Sequence, residues 1–178
     1  MRTGFIACLL LLLSFASFAG AKKQMSSVLA DANKMAKAFI SKDYIGYSKF
    51  SYYQHPNPSK EEEDKLAGMV AKHMYDLELQ NNVIIDMKFG TPTKMIHADK
   101  ELQCVVPVTM KTKIKGGVIT SYTNMIAFSY DNGHSWHFMD MGSKSLEALR
   151  KQYPDISPDL TIPEIKNEEF LSDDPKKR

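Results

Sequence analysis

Two side chains combine the types and surroundings that proton-transfer chemistry needs. Asp140 follows Trp136 and Phe138 at alternate positions of the last alternating apolar run, so all three point to one side of an extended strand. His73 lies among Leu66, Met69, Val70, Met74 and Leu77, spaced at threes and fours, on the apolar stripe of a helix. A carboxylate held among apolar groups can act as a general base, with Tyr or His stabilising the developing oxyanion. Tyr122 is the candidate donor; it shares a strand face with Asn124, Ile126 and Phe128. The plainer alternative makes His73 a satisfied core histidine and Asp140 the cap of a strand end.

Other reactive residue types point to structure. Cys104 alternates with Leu102 and Val106 and has no basic neighbour to activate it, which describes a buried thiol. His134 and His137 would face opposite sides of a strand, while His55, His73 and His97 stand apart from other ligand types, so no metal centre is expected. In Ser129-Tyr130-Asp131-Asn132-Gly133-His134-Ser135-Trp136, Asp131 should accept from backbone amides around a turn with Gly133 at positive φ and Trp136 packed beneath. Tyr44, Tyr47, Phe50, Tyr52 and Tyr53 form an aromatic cluster suited to docking a helix or lining a pocket. No phosphate loop, dinucleotide fingerprint or Ser–His–Asp motif is present, and no cofactor is implied.

The chain that positions these groups has 178 residues, 43% of them apolar, with 23 Lys plus Arg against 21 Asp plus Glu. This composition fits one globular domain and lacks the concentrated basic surface that nucleic acid requires. Arg2, the apolar run Phe5–Leu13 with its continuation, and Ala19-Gly20-Ala21 ahead of Lys22-Lys23 read as a signal peptide over residues 1–21. The protein is therefore expected to be exported, periplasmic or extracellular, with no membrane span after cleavage. Cys104 is then the one cysteine left, so no internal disulfide is expected.

Residues 22–166 read as a single α+β domain. The helical part covers 26–80. Val28, Leu29, Ala32, Met35, Ala36, Phe39 and Ile40 form the first stripe, with Ser26 or Ser27 as its cap. Asp43 caps a short second helix, His55-Pro56-Asn57-Pro58 breaks the chain, and Ser59 with Glu62 makes a capping box for the third helix. From 82 to 141 the period becomes two. Val83, Ile85, Met87 and Phe89 mark one face, and a long strand through Pro107 implies a bulge or an edge there. Gly116-Gly117 reads as a hairpin turn, and Asp131-Asn132-Gly133 as the next. A short helix and an extended arm occupy 143–166, and the mixed charges of 167–178 suggest a flexible tail.

Helices followed by a long antiparallel sheet resemble the cystatin-like, nuclear transport factor 2-like superfamily. The local likeness lies in Ala38-Phe39-Ile40-Ser41-Lys42-Asp43-Tyr44 and in Asp131-Asn132-Gly133-His134-Ser135-Trp136-His137-Phe138-Met139-Asp140. More narrowly, the chain resembles small exported bacterial members of this group that lack an assigned activity. The resemblance implies a cone of curved sheet covered by helices, open at one end, with Tyr44, Tyr47, Asn124, Phe128, Trp136 and Phe138 lining it. It further implies a small apolar ligand or a protein partner, and often a homodimer through the sheet. The isomerase and dehydratase members make an acid–base enzyme the alternative. The turn at Asp131 also matches a single Asp-box of sialidase-type propellers, which there folds hairpins and performs no chemistry. Gln103-Cys104-Val105-Val106-Pro107 departs from the Gln-x-Val-x-Gly loop of cystatin inhibitors at the glycine, which removes protease inhibition.

Overall fold

The computed structural model describes residues 4–142 and 144–174, with side chains from residue 22 onward. The side chains of the expected signal peptide and the last four residues of the expected tail lie outside the described residues. The fold is α+β, with N-terminal helices preceding a six-stranded antiparallel sheet.

Helix α1 runs unbroken over Gly4–Ile40, so Ser26 and Ser27 lie within it and cap nothing. The Ser27 hydroxyl instead joins the helix to a distant turn. It donates to the Gly133 carbonyl at 2.7 Å and accepts from the Trp136 indole at 3.0 Å. Of the predicted stripe Val28, Ala32, Met35 and Ala36 are buried, Leu29 and Phe39 are half-buried and Ile40 is exposed. The helix closes with Lys42 at φ 61° while the Asp43 amide reaches back to the Ala38 carbonyl at 2.9 Å, a left-handed stop. Asp43 then caps α2 (Tyr44–Ser48), accepting from the Gly46 amide at 2.8 Å.

Helix α3 (Lys60–Leu79) carries the predicted capping box, with the Glu62 amide donating to Ser59 Oγ and the Ser59 amide donating to Glu62 Oε2 at 2.7 Å. Its far end closes like that of α1, with Asn81 at φ 59° and the Asn82 amide on the Leu77 carbonyl at 2.9 Å.

The strands are β1 (Val83–Phe89), β2 (Ile96–Ala98), β3 (Glu101–Ile114), β4 (Gly117–Ser129), β5 (His137–Asp140) and β6 (Glu169–Ser172). The order is β1-β3-β4-β5, with β2 also on β3 and β6 also on β4. Strand β3 passes straight through Pro107, which lies opposite Asn124 of β4. No bulge is needed there because β1 ends opposite Val108 and β2 begins opposite Gln103. In the gap Pro107 has only to accept, and its carbonyl takes the Gly90 amide at 2.8 Å. A Cβ on Gly90 would sit 3.1 Å from that of Pro107, so a glycine eases this approach.

The β3–β4 turn falls one residue earlier than expected. Ile114 faces Gly117, which leaves Lys115-Gly116 as the turn, with Gly116 at φ 90°. Gly117 belongs to β4, where a Cβ would clash with the Leu171 carbonyl. That close partner belongs to β6, part of the segment expected to fray. Its residues Glu169 to Gly117's partner Ser172 pair antiparallel with β4.

Each face of the sheet carries its own core. Val28, Ala32 and Met35 of α1 pack on Leu102, Cys104, Val106, Met125, Ala127, Trp136 and Phe138. On the reverse, Leu149 of α4 (Leu146–Gln152), Ile156 and Leu160 pack on Val105, Ile126, Phe128 and Met139. The fully buried Gln103 holds this C-terminal cover: its amide donates to the Asp155 carbonyl at 2.7 Å and its oxygen accepts from the Ser157 amide at 2.8 Å.

Ser27→Ala strands the indole N–H of the buried Trp136, and it is expected to cost about 2 kcal/mol, read by urea unfolding followed through tryptophan fluorescence. Glu62 gives a second expectation. Its hydrogen bonds from the Ser59 amide and hydroxyl, and then from His55, lower its carboxyl from 4.5 to about 2 in the fold. The stabilisation this represents is present above about pH 4.5 and is lost as pH falls toward 2. Glu62→Gln should flatten that part of the acid-unfolding profile.

Candidate functional site

Helix α3 packs chiefly on α2 and meets the sheet at β1. Its apolar stripe is therefore only partly covered. Met74 is buried, whereas Met69 is 62% exposed. Between α3 and the sheet lies a groove of about 380 Å³, within the range of small-molecule sites. Phe39 and Tyr47 close one side, α3 supplies Leu66, Met69, Val70, His73 and Met74, and the sheet forms the rest.

Strand alternation and one bulge build the sheet wall. Val108 and Met110 of β3, Thr123 and Met125 of β4, and Asp140 of β5 all point to the helix side. On β1 the register shifts between Ile84 and Asp86, and this bulge turns both Ile84 and Met87 into the groove. The expected face of Val83, Ile85, Met87 and Phe89 is thus broken, leaving Ile85 44% exposed. Met69, Met74, Met87, Met110 and Met125 make the lining rich in thioethers, flexible groups that adapt to ligands of different outline.

The groove has both His73 and Asp140 among its lining residues, and His73 is exposed, so it is not the core histidine of the plainer alternative. Asp140 is exposed, and its Oδ1 accepts from the Gly142 amide at 3.0 Å, so it also fills the capping role of the plainer alternative. Tyr47 lies nearby. Burial pushes its phenol up, and the negative charge of Asp140 adds to that, against a hydrogen bond with Ser51. The Thr123 hydroxyl is buried without a hydrogen-bond partner among the described residues.

Tyr122 is elsewhere. Alternation along β4 puts it on the opposite face from Thr123, where its hydroxyl donates to Glu169 at 2.8 Å and Lys166 lies 5.6 Å from the ring. The Glu169 acceptor first, and then burial, raise its pKa. Asn124 shares that face and donates to the Pro163 carbonyl at 3.1 Å, and Phe128 stacks on Tyr52 with ring centroids 4.2 Å apart. Trp136 and Phe138 point to the helix side but are core residues beneath α1. Tyr44 packs edge-on against Phe39 without reaching the groove. Of the six predicted lining residues, only Tyr47 lines it. The missed residues had one legible signal, the Met at alternate strand positions, which reads equally as core.

The turn at Asp131 is built as expected. Its Oδ1 accepts from the His134 and Ser135 amides at 3.0 and 2.9 Å, its Oδ2 from the Ser135 hydroxyl at 2.6 Å, and Gly133 has φ 87°. Burial would push this carboxyl up, but the hydrogen bonds from Ser135, Ser129 and His134 outweigh it and hold the group below its ordinary value. A second concavity, of about 460 Å³, lies among Asp99, Lys100, Glu101, Tyr130 and Asp155. Burial raises the Glu101 carboxyl there, opposed by the Gln103 amide and reinforced by Asp155 and Asp99. Among the described residues no three His, Cys, Asp or Glu side chains are placed to hold a metal ion, and no helix is long and apolar enough to cross a membrane.

Cys104 is fully buried, and burial pushes its thiol from 9.0 to about 12. Iodoacetamide at pH 8 should alkylate it about a thousandfold more slowly in the native protein than in urea, as followed by intact mass. Neither a protein-family model nor a curated protein sequence matches the chain.

Proposed function

We propose that the chain is an exported protein of the cystatin-like, nuclear transport factor 2-like kind, which binds a small apolar ligand without transforming it. The groove between α3 and the sheet carries this reading. It is walled by Leu66, Val70, Ile84, Val108 and five methionines, with few polar groups, the usual make-up of a small-molecule site. Export rests on the apolar run ending at Ala21 before Lys22-Lys23. Cleavage there keeps the contacts of Ser27 with Gly133 and Trp136.

Native mass spectrometry of the protein purified from its secreting host should show a co-purifying apolar small molecule. Val70→Trp, which places an indole in the groove from the half-buried side of α3, should abolish that adduct while leaving the circular dichroism unchanged. An adduct that persists undiminished in Val70→Trp would place the ligand elsewhere and overturn the reading.

The second reading is an acid–base enzyme of isomerase or dehydratase type, favoured by His73 and Asp140 lining one groove. Its donor would be Tyr47 in place of Tyr122. It requires the bound molecule to change mass or retention over hours of incubation, and an unchanged molecule discards it. A homodimer through the sheet is the third. The free side of β1 with its exposed Ile85 would carry it, and a monomer by light scattering discards it.

A further inference from the structure

We infer that the groove between α3 and the sheet selects an apolar chain bearing a cationic head, an amine or quaternary ammonium group, with the head seated at Asp140. The inference rests on the apolar-ligand reading above and specifies its ligand class.

Charge is the first argument. Among the groove-lining residues Asp140 is the one carboxylate, and no Lys or Arg lines it. None of the ion pairs among the described residues involves Asp140. Among the described residues its hydrogen-bond partner is the Gly142 amide on Oδ1, which leaves Oδ2 to face a cation. An anionic head would meet this carboxylate uncompensated, at a cost that rises as the ligand excludes water.

The aromatic corner is the second. Phe39 and Tyr47 lie in the same lining with ring centroids 5.2 Å apart and planes tilted by 51°. Two aromatic rings lining the same groove as a carboxylate suit an alkylammonium. The backbone fixes this arrangement. The Phe138 amide donates to the Phe50 carbonyl at 2.7 Å, and the Tyr52 amide to the Phe138 carbonyl at 2.9 Å. These bonds hold the chain following α2 beside β5, and so bring Tyr47 toward Asp140.

The buried hydroxyl of Thr123 is the third. Thr123 lines the same groove, and its hydroxyl has no partner among the described residues, two residues along β4 from Met125, which lies opposite Asp140. Turned toward the groove, that hydroxyl can accept from the N–H of a protonated amine head, a bond that a quaternary head does not make, and doing so would satisfy a group that otherwise costs stability. Away from this polar end, Met69, Met87 and Met110 offer adaptable surface for the chain.

The test uses decyltrimethylammonium, decyl sulfate and decanol below their aggregation limits, titrated into the protein by calorimetry and by NMR of 13C-methyl methionine. The ammonium should bind about tenfold more tightly than the sulfate, with decanol between them, and all that bind should shift the methyls of the groove methionines. Asp140→Asn should remove the preference for ammonium over sulfate while leaving decanol affinity unchanged. Equal affinities for the three probes, sulfate binding most tightly, or a preference that survives Asp140→Asn would overturn the cationic head and leave the apolar groove standing. Binding by none of them, with the methionine methyls unmoved, would overturn the groove as a ligand site as well.

Discussion

The β3–β4 ribbon, paired continuously from Leu102 opposite Ser129 to Ile114 opposite Gly117, is the support on which every other element docks. One half of it is buried on both faces, by α1 on one side and by α4 with the C-terminal arm on the other. The other half extends beyond those covers. Pairing nevertheless runs its full length. The edges are completed piecemeal, by β1 and β2 against β3 and by β5 and β6 against β4. The uncovered half is where α3 leans, and the groove is the space between them.

That α3 can stand partly off the sheet follows from its ends. A capping box at Ser59–Glu62 and a left-handed stop at Asn81 satisfy its terminal backbone groups, and Lys72 pairs with Asp76 at 2.6 Å along its surface. Such local terms are worth about 1 kcal/mol or less each, yet they reduce how much of the apolar stripe must be buried for the helix to persist. Met69, Tyr75 and Leu79 are left exposed. A methionine lining adapts to its neighbours more readily than interlocked branched side chains do.

Local signals were the legible part of the sequence. Asp43, the Ser59–Glu62 box and the Asp131 turn are short-range devices whose partners lie within four residues, and each is present as read. The α+β order followed from the change of period at Asn82. What could not be read depended on partners distant in sequence. Ser27 looked like a cap because its real partners, Gly133 and Trp136, lie more than a hundred residues away. Gly117 looked like a turn residue because β6, which crowds it, is itself built from a charged segment with little strand signal. Alternation correctly grouped Tyr122 with Asn124, Ile126 and Phe128 on one side of β4. It could not tell which side held the groove, and with both faces covered by apolar residues the pattern is nearly symmetric. The bulge at Ile84–Asp86, which swaps Ile85 for Ile84 in the groove, leaves no mark in composition.

The separation of faces also bears on the choice between binding and catalysis. Tyr122 cannot reach the groove without turning β4 over, which would pull Ile126 and Phe128 out of the arm-side core. A proton-transfer centre would have to be assembled from His73, Asp140 and Tyr47, across a groove whose rim carboxylate is exposed and already takes an amide hydrogen bond. A general base gains its strength from dry, preorganised surroundings, and Asp140 is exposed, with the Gly142 amide as its hydrogen-bond partner among the described residues. A fixed charge at a rim needs less. It has only to be unpaired, adjacent to apolar walls and near surfaces that favour the opposite sign, and the same exposure that weakens a base leaves it open to an incoming cation. The geometry that argues against turnover therefore favours retention of a ligand by one charged end.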